Sequence, residues 1–494
     1  MTLKVWLGIF VYAMLSGLAI QLVILPYVFP QLHAGDGLLA GRDWVGFHEQ
    51  AIAQAQRIVQ GGWGEFRLRP DGDNAITGVA SFFYVIFGAK PWTILPLSAA
   101  MFATGGAALF SLLKMLELED NEALIALLPY VFFPSALLQY GQIHKDVFCT
   151  AGVLVVLWSW VSLLHEGRNL KRVLLLFAAS AVALVVVSVF RPYFMYPFLG
   201  LVAVLLCWYV GKAVWLLFRS RVAPQAAMYG RLLKSHLQSV FILVGLGFTV
   251  FLLSISYVDV QMRVFPSDSA PVKIALPSFV WQSNATVRSA DTVRLLKSAD
   301  AAANEAAVIK AIEECRPVVV LKDGAFLENM VNRAFLKIAV ARAGFTSSGG
   351  TTAASNIDKG IDFCKNEDLI RYVPRALQIA FFAPFPSSWF AVEKRNSSSV
   401  EIYISAVEMF YCYIAYIGLL YWLVSYCRWN VALVVPVAFA FGLMLLLGLT
   451  VANVGTLYRM RFPFAMIFVS IGMAGILQLA KIRPPWIDKG DAAN

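Results

Sequence analysis

Several side chains that could handle a charged substrate lie at the edges of apolar stretches, and Asp43 is the first of them. It stands in the segment GRDWVGFHEQA, residues 41–51, which follows the N-terminal apolar stretch. A carboxylate in this position could act as a general base or hold a metal ion. Alternatively, Asp43 only caps the following helix, because Asp accepts hydrogen bonds from free backbone amides there. His48 and Glu49 follow closely, without the ligand spacing of a zinc site.

The second group is His144, Lys145 and Asp146, three consecutive polar residues between two apolar stretches. Such a group is usually a simple turn, but ionisable residues that border a bilayer commonly mark a substrate path. Lys145 could pair with the phosphate of a lipid-linked substrate. Asp146 could hold that lysine or, like Asp43, a divalent cation such as Mg²⁺ or Mn²⁺.

Arginines form the third group. Arg191 interrupts an apolar stretch that runs from Val173 to Phe218, with Pro192 beside it. The guanidinium of arginine stays charged and matches the geometry of phosphate oxygens. Alternatively, Arg191 snorkels to the membrane surface on its long apolar stem. Three further arginines occur in the segments RYVPRALQ and GTLYRMRFP, namely Arg375, Arg459 and Arg461.

Several cations beside a few acids suit a substrate that carries a phosphate. Cationic donors stabilise the negative charge that builds up on a departing phosphate, which lowers the barrier to its release. The sequence contains no Walker A motif, no GxGxxG after a strand, no HExxH and no GxSxG. Nucleotide-driven transport and serine hydrolysis are therefore unsupported.

The elements that must position these residues are membrane-spanning helices. Of the 494 residues, 59% are apolar and 14% are charged, whereas a soluble domain has roughly 25% charged residues. A bilayer core takes about 20 apolar residues per helical span, and runs of this kind recur along the chain. The net charge of +10 follows from lysines and arginines in cytoplasmic loops. We therefore expect no nucleic-acid partner.

About ten runs have the length of a membrane span. An even number puts both termini on one side of the membrane, and the connections rich in Lys and Arg make that side the cytoplasm. The sequence therefore predicts an all-α polytopic membrane protein. The predicted spans are residues 4–26, 92–114, 122–141, 147–164, 173–190, 193–218, 236–258, 400–426, 430–450 and 461–480.

Two further apolar stretches, residues 75–88 and 377–390, have to stay out of this count. Residues 75–88 are short for a crossing, and as a span they would turn the basic connection at Arg168 outward. Pro384 and Pro386 disrupt helical hydrogen bonding in the second stretch. Both stretches are predicted to be interfacial or re-entrant helices.

This threading divides the chain into three parts. Residues 1–258 form a seven-helix membrane module with a first external loop at 27–91. Residues 259–399 form a large external loop that contains the re-entrant segment, and residues 400–494 form three helices and a cytoplasmic tail. Cys315 and Cys364 are the only cysteines in the large loop, so a disulfide could join them outside the cytoplasm.

The layout resembles the GT-C superfamily of integral membrane glycosyltransferases, which take a sugar from a polyprenyl-phosphate or polyprenyl-diphosphate carrier. Those enzymes have a seven-helix module, a first external loop with a catalytic acid, a second external loop with further charged residues and a variable C-terminal part. Four segments also resemble membrane proteins encoded with bacterial capsule, exopolysaccharide and O-antigen assembly enzymes. They are PSALLQYGQIHKD (134–146), FRPY (190–193), PRALQIAFFAPFPSSW (374–389) and NVGTLYRMRFP (453–463).

The resemblance implies that Asp43 is the catalytic acid and that the other charged residues bind the polyprenyl-linked donor. Family members often carry an acidic pair in one loop, whereas this chain has GRDW and HKD, so a divalent cation is only an optional cofactor. The acceptor would be a glycan, a lipid or a protein, and other polysaccharide assembly proteins could be partners. The implied donor-binding residues are His48, Lys145, Asp146, Arg191, Arg375, Arg459 and Arg461.

The expected location is the bacterial inner membrane, with several passes, both termini in the cytoplasm and the active site facing the periplasm. Two other functions stay open. One is a transporter or flippase for lipid-linked glycans, although the sequence lacks the paired halves that many transporters show. The other is a non-catalytic subunit of a polysaccharide assembly complex, whose loop at 259–399 docks a partner.

Overall fold

A computed structural model of the chain describes residues 1–40, 43–70, 74–164, 169–222, 226–262, 295–297, 319–321, 326–347, 356–358, 360–389, 398–425 and 431–481. Most of these residues are helical. The α-helices of the first half are α1 (Thr2–Ala19), α2 (Asp43–Gly61), α3 (Ala75–Phe87), α4 (Leu95–Lys114), α5 (Asp120–Phe132), α6 (Pro134–Tyr140), α7 (Asp146–Leu164), α8 (Leu170–Phe190), α9 (Met195–Val222) and α10 (Ala226–Met262).

The second half begins with two short parallel strands, β1 (Leu295–Lys297) and β2 (Val319–Leu321). Its helices are α11 (Phe326–Ser347), α12 (Asn366–Phe382), α13 (Ser398–Ser425), α14 (Val431–Thr450), α15 (Val454–Met460) and α16 (Phe462–Lys481). Helix α1 continues as a π-helix, Ile20–Val28, which contains Pro26.

Nine of the described helical spans are long and apolar enough to cross a membrane, and there are ten if α5 and α6 form one bent span. These helices confirm the prediction of an all-α polytopic membrane protein. The predicted span 122–141 corresponds to the bent pair, whose axes differ by 66°. Helix α3 is apolar, but at 13 residues it is shorter than a span.

Large apolar side chains cover the outer faces of these helices. Leu174 and Leu175 on α8, Trp208 on α9, and Phe241 and Phe248 on α10 are all exposed. Side chains of this size are unfavourable in water when they form a contiguous surface. They match lipid acyl chains, so the outer face of this helical bundle is suited to the bilayer core.

The break between α5 and α6 has a local cause. Phe133 adopts an extended conformation (φ −60°, ψ 125°) because it precedes Pro134, which starts α6. The first free backbone amide of α6, that of Ser135, donates to Glu408 Oε1 at 2.6 Å. Glu408 on α13 is buried, so this acid within a span stabilises the interrupted helix.

Helix α12 is amphipathic. Its buried residues Tyr372, Ala376, Ile379 and Ala380 repeat at helical spacing along one face. The helix ends at Phe382 because the next residue is extended and precedes Pro384. Residues 377–382 of the predicted stretch 377–390 therefore form the end of α12, and residues 383–389 form the bend after it.

The chain forms two compact units, and both are discontinuous in sequence. Unit 1 contains Met1–Ile255, Pro386–Phe439 and Ala465–Asn494, and unit 2 contains Ser256–Phe385 and Ala440–Phe464. In each unit a glycine allows two helices to approach closely. A Cβ atom at Gly472 would collide with the Ala415 carbonyl in unit 1, and one at Gly448 with the Ala376 carbonyl in unit 2.

Candidate functional site

Asp43 is the first residue of α2 and is half-buried. An acid in the first turn of a helix interacts favourably with the positive end of the helix dipole. The next residue, Trp44, is buried and its indole Nε1 donates to the Leu39 carbonyl at 2.6 Å. This contact anchors the start of α2 to the preceding loop and so limits where the Asp43 carboxylate can lie.

The start of α2 contacts the turn that contains residues 144–146. The Trp44 ring meets the His144 ring edge-on, with centroids 6.0 Å apart. The Lys145 ammonium lies 5.9 Å from the centroid of the Phe47 ring and donates to Asn74 Oδ1 at 2.7 Å. Residues about 100 positions apart in sequence therefore meet in unit 1, and the Lys145 side chain is only half-buried there.

Arg191 lies behind this surface in a buried ion pair with Asp146. Its Nη2 donates to Asp146 Oδ1, and its Nη1 donates to the Tyr193 hydroxyl at 2.5 Å. Arg191 and Asp146 are both buried. The guanidinium therefore does not snorkel to the surface, and its charge is balanced by Asp146. A buried pair of this kind is strongly destabilised when one partner is removed.

His144 completes the buried group. Its Nδ1 lies 3.2 Å from the backbone nitrogen of Asp146 and 3.2 Å from Asp146 Oδ2. The backbone N–H of Asp146 donates to His144 Nδ1, so this nitrogen is the acceptor in that hydrogen bond. His144 thereby fixes the first turn of α7, where Asp146 begins the helix.

Asp36 is a further acid in the first loop, and sequence reasoning missed it. The three residues Gly35, Asp36 and Gly37 all have positive φ angles, of 105°, 51° and 80°, which glycine adopts readily. This tight turn directs the Asp36 carboxylate to the Lys90 ammonium at 2.6 Å. The hydrogen bond from Lys90 holds the pKa of Asp36 below its usual value.

His48 lies between Asp36 and Tyr84. Its Nδ1 is 2.6 Å from the Tyr84 hydroxyl, and its Nε2 is 3.5 Å from Asp36 Oδ2. Burial lowers the pKa of His48, and the Asp36 carboxylate opposes that shift. A neutral ring can then accept a hydrogen bond from the Tyr84 hydroxyl at Nδ1 and donate one from Nε2 to Asp36. Together they form a short hydrogen-bonded relay.

Gln142 connects this relay to the turn at 144–146. Its Oε1 accepts from the Leu39 backbone at 3.1 Å, and its Nε2 donates to the Gly37 carbonyl at 3.3 Å. Asp36 and Lys90 keep 38% and 48% of their side-chain surface exposed. The candidate site therefore has a buried ion pair, Asp146 with Arg191, in its interior. Its solvent-accessible face carries Asp36, Lys90 and Lys145.

Unit 2 holds a separate acid–arginine pair. Arg375 donates from Nε to Asp358 Oδ2 at 2.9 Å and from Nη2 to Asp358 Oδ1 at 3.1 Å. The Tyr372 hydroxyl donates to Oδ2 at 2.8 Å. Hydrogen bonding from Arg375 is the main reason that the pKa of Asp358 is lowered. Burial raises the pKa of Tyr372 to about 12.

Arg342, which sequence reasoning also missed, supports this pair from the protein interior. It is 1% exposed. Its Nε donates to the Ile361 carbonyl at 2.8 Å and its Nη1 to the Leu449 carbonyl at 3.2 Å, while the guanidinium stacks 4.5 Å from the Tyr372 ring centroid. The arginine thus joins the segment around Asp358 to the end of α14.

Arg461 is buried at 3% exposure and donates to the carbonyls of Ala380 and Ala383, at 2.6 and 2.5 Å. Those carbonyls belong to the C-terminal end of α12, where backbone acceptors lack helical partners. The contacts give Arg461 a structural role. Arg459 is half-buried on α15. For both residues, phosphate binding stays a prediction.

Cys364 is disulfide-bonded, whereas Cys149, Cys207 and Cys412 are free thiols. Cys315, the partner predicted for Cys364, lies outside the described residues. Within the described segments, no group of three His, Cys, Asp or Glu side chains could hold a metal ion. Cation binding by Asp43 or Asp146 stays a prediction.

No protein-family model, curated protein or solved structure matches this chain.

Proposed function

We propose that this protein is a membrane glycosyltransferase that moves a sugar or glycan unit from a polyprenyl-(di)phosphate carrier to an acceptor hydroxyl. One observation supports this most strongly. The helix that starts with Asp43 contacts the turn that carries Lys145, through the Trp44–His144 and Phe47–Lys145 pairs. The helix that begins with Asp43 and the turn that carries Lys145 are thereby in contact.

In the proposed reaction, the acceptor hydroxyl oxygen attacks the anomeric carbon of the donor sugar. Asp43 takes the hydroxyl proton as the new carbon–oxygen bond forms. The bond between the anomeric carbon and the phosphate oxygen breaks through an oxocarbenium-like transition state, and the electron pair leaves with the lipid phosphate. Lys145 stabilises the negative charge on that phosphate.

Arg191 has a positioning role in this proposal. Its ion pair with Asp146 fixes the start of α7, and therefore the adjacent Lys145. Asp36 is the second candidate for the base, because it is ionised beside Lys90 and partly exposed. Arg375, Arg459 and Arg461 belong to unit 2, and their contribution to donor binding is a separate part of the proposal.

The proposed site faces away from the cytoplasm, at the periplasmic face of a bacterial inner membrane. The positive-inside rule supports this orientation, because the basic connections lie at the opposite ends of the helices. A Lys145→Cys protein in sealed vesicles or cells should react with a membrane-impermeant maleimide from outside. A Lys114→Cys protein should react only from inside, with the unsubstituted protein as the background. The reverse pattern would overturn the orientation.

The function is tested with purified protein in vesicles that contain radiolabelled polyprenyl-phosphate and polyprenyl-diphosphate sugars. Transfer of label to a glycan, lipid or protein acceptor supports the proposal. Movement of the intact labelled lipid between leaflets, without transfer, would instead identify a flippase. Neither transfer nor movement, together with capture of other assembly proteins, would identify a non-catalytic subunit.

A further inference from the structure

Unit 1 has an apolar groove at the end of α7 that is opposite to Asp146. The cavity has a volume of about 710 Å³, within the roughly 300–1,000 Å³ of small-molecule sites. Its walls come from the end of α7, the first turn of α8 and the N-terminal half of α10. The apolar walls include Leu163, Leu164, Leu170, Val173, Leu237 and Phe241.

The rim of this groove is polar, and one basic residue, Lys234, lines it. Lys234, which is exposed, and Gln238 line it from α10. Lys171 and Arg172 are exposed on α8 between the two lining residues Leu170 and Val173. None of the described residues that line the groove is acidic. The charge of the rim therefore complements an anionic headgroup.

The walls belong to α7, α8 and α10, which are all candidate membrane spans. A groove on the outside of such helices is open to lipid, and Phe241 at its edge is 81% exposed. The apolar ligand available there is an acyl chain. A basic rim between membrane helices is the arrangement that binds anionic lipid headgroups.

We propose that this groove is a binding site for an anionic phospholipid, with an acyl chain against α8 and α10 and the phosphate at Lys234. The site differs from the proposed donor site. Helix α7 has 19 residues, so Asp146 and Leu164 lie about 27 Å apart along the helix axis. A carrier phosphate bound near Lys145 therefore cannot lie at Lys234, and this proposal does not depend on the glycosyltransferase proposal.

Gly230 offers a way to block the groove without disturbing the fold. It lines the groove, and a Cβ atom built on it would meet no atom within 4 Å. Gly230→Phe should place an aromatic ring in the groove and obstruct it, and replacing glycine inside a helix does not weaken the helix. Gly211 on α9 also has open space at its Cβ and does not line the groove, so Gly211→Phe is the matched control.

The experiment uses the full chain in phosphatidylcholine vesicles, with a trace of either phosphatidylglycerol or phosphatidylcholine that carries a diazirine on one acyl chain. After irradiation, mass spectrometry measures labelling of α8 and α10 peptides. We expect phosphatidylglycerol to label them about fivefold more than phosphatidylcholine, the preference that one lysine near the surface provides. Equal labelling by the two lipids would overturn the proposal.

Variants locate the site. Gly230→Phe should abolish the excess labelling by phosphatidylglycerol, and Lys234→Gln should reduce the preference toward equality. Gly211→Phe and Lys212→Gln, both on α9, should leave it unchanged. Undiminished excess labelling in Gly230→Phe would contradict the assignment. If excess polyprenyl phosphate removes the labelling and excess unlabelled phosphatidylglycerol does not, the ligand is the carrier and the phospholipid assignment is wrong.

Discussion

Both units contain a carboxylate paired with an arginine, but the two pairs differ in burial. In unit 1, the side chains of Asp146 and Arg191 are 6% and 8% exposed. In unit 2, those of Asp358 and Arg375 are 16% and 37% exposed. The residue types are the same, and sequence reasoning assigned both arginines to phosphate binding. The difference in burial gives the two ion pairs different roles.

The buried pair is a structural support, because its charges are removed from water and depend on each other. The more exposed pair is screened by solvent, so its net contribution to stability is small. Arg375 can therefore exchange Asp358 for an anionic ligand at low cost, whereas Arg191 would have to abandon Asp146. Arg375 is therefore a better candidate than Arg191 for binding a phosphate group.

Arg191→Ala should have the largest effect on stability. It leaves a buried carboxylate without its guanidinium, which costs about 3–5 kcal/mol. The measurement is the free energy of unfolding in mixed detergent micelles. The double variant Asp146→Asn/Arg191→Ala should recover part of that loss, because the orphaned charge is removed as well. A loss below about 1 kcal/mol for Arg191→Ala would show that the pair behaves like an exposed one.

Arg342→Met should have the next largest effect. It leaves the buried Leu449 carbonyl and the part-buried Ile361 carbonyl without their Arg342 donors, at a cost of about 1–3 kcal/mol. Methionine keeps a long apolar side chain in the same space. An unchanged free energy of unfolding would show that Arg342 does not join the Asp358 segment to α14.

Arg375→Gln should destabilise the protein by only about 0.2–1 kcal/mol. If this residue binds the donor phosphate, its effect should appear instead as weaker use of the lipid-linked donor in the transfer assay. A large loss of stability, equal to that of Arg191→Ala, would remove the contrast between the two pairs.

The pH dependence of unfolding gives the smallest effect. Because Arg375 lowers the pKa of Asp358 from its ordinary value of 3.8, the unfolded state binds the proton more readily. That stabilisation is present above pH 3.8 and is lost as the pH falls through the folded-state pKa. Arg375→Gln should lose less stability than the wild type on acidification. An identical acid dependence of the two proteins would contradict this coupling.

Much of the fold could be predicted from the sequence, because hydrophobic length alone defines most spans. The bend between α5 and α6 could have been found from Pro134. The amphipathic face of α12 is also visible in the spacing of Tyr372, Ala376 and Ile379. The two units could not be predicted, since each combines segments that lie far apart in sequence.

The candidate site was only partly predictable. Asp43, Lys145, Asp146 and Arg191 were selected because they are charged residues beside apolar runs. The pairing of Asp146 with Arg191 could not be read from residue types, since either could as well have faced a ligand. Asp36 had a signal, because flanking glycines often mark an unusual backbone conformation. Arg342 had none, because its partners are mainly backbone carbonyls.

Sugar transfer by the Asp43→Asn protein, with Asp36→Asn and Asp120→Asn measured beside it, tests whether Asp43 is the catalytic base. Asp120 is the matched control, since it is an exposed acid paired with Lys114 away from the candidate site. We predict that Asp43→Asn lowers transfer by about a hundredfold or more in a folded, inserted protein, while Asp120→Asn leaves transfer unchanged. Full transfer by the Asp43→Asn protein would show that Asp43 is not the catalytic base.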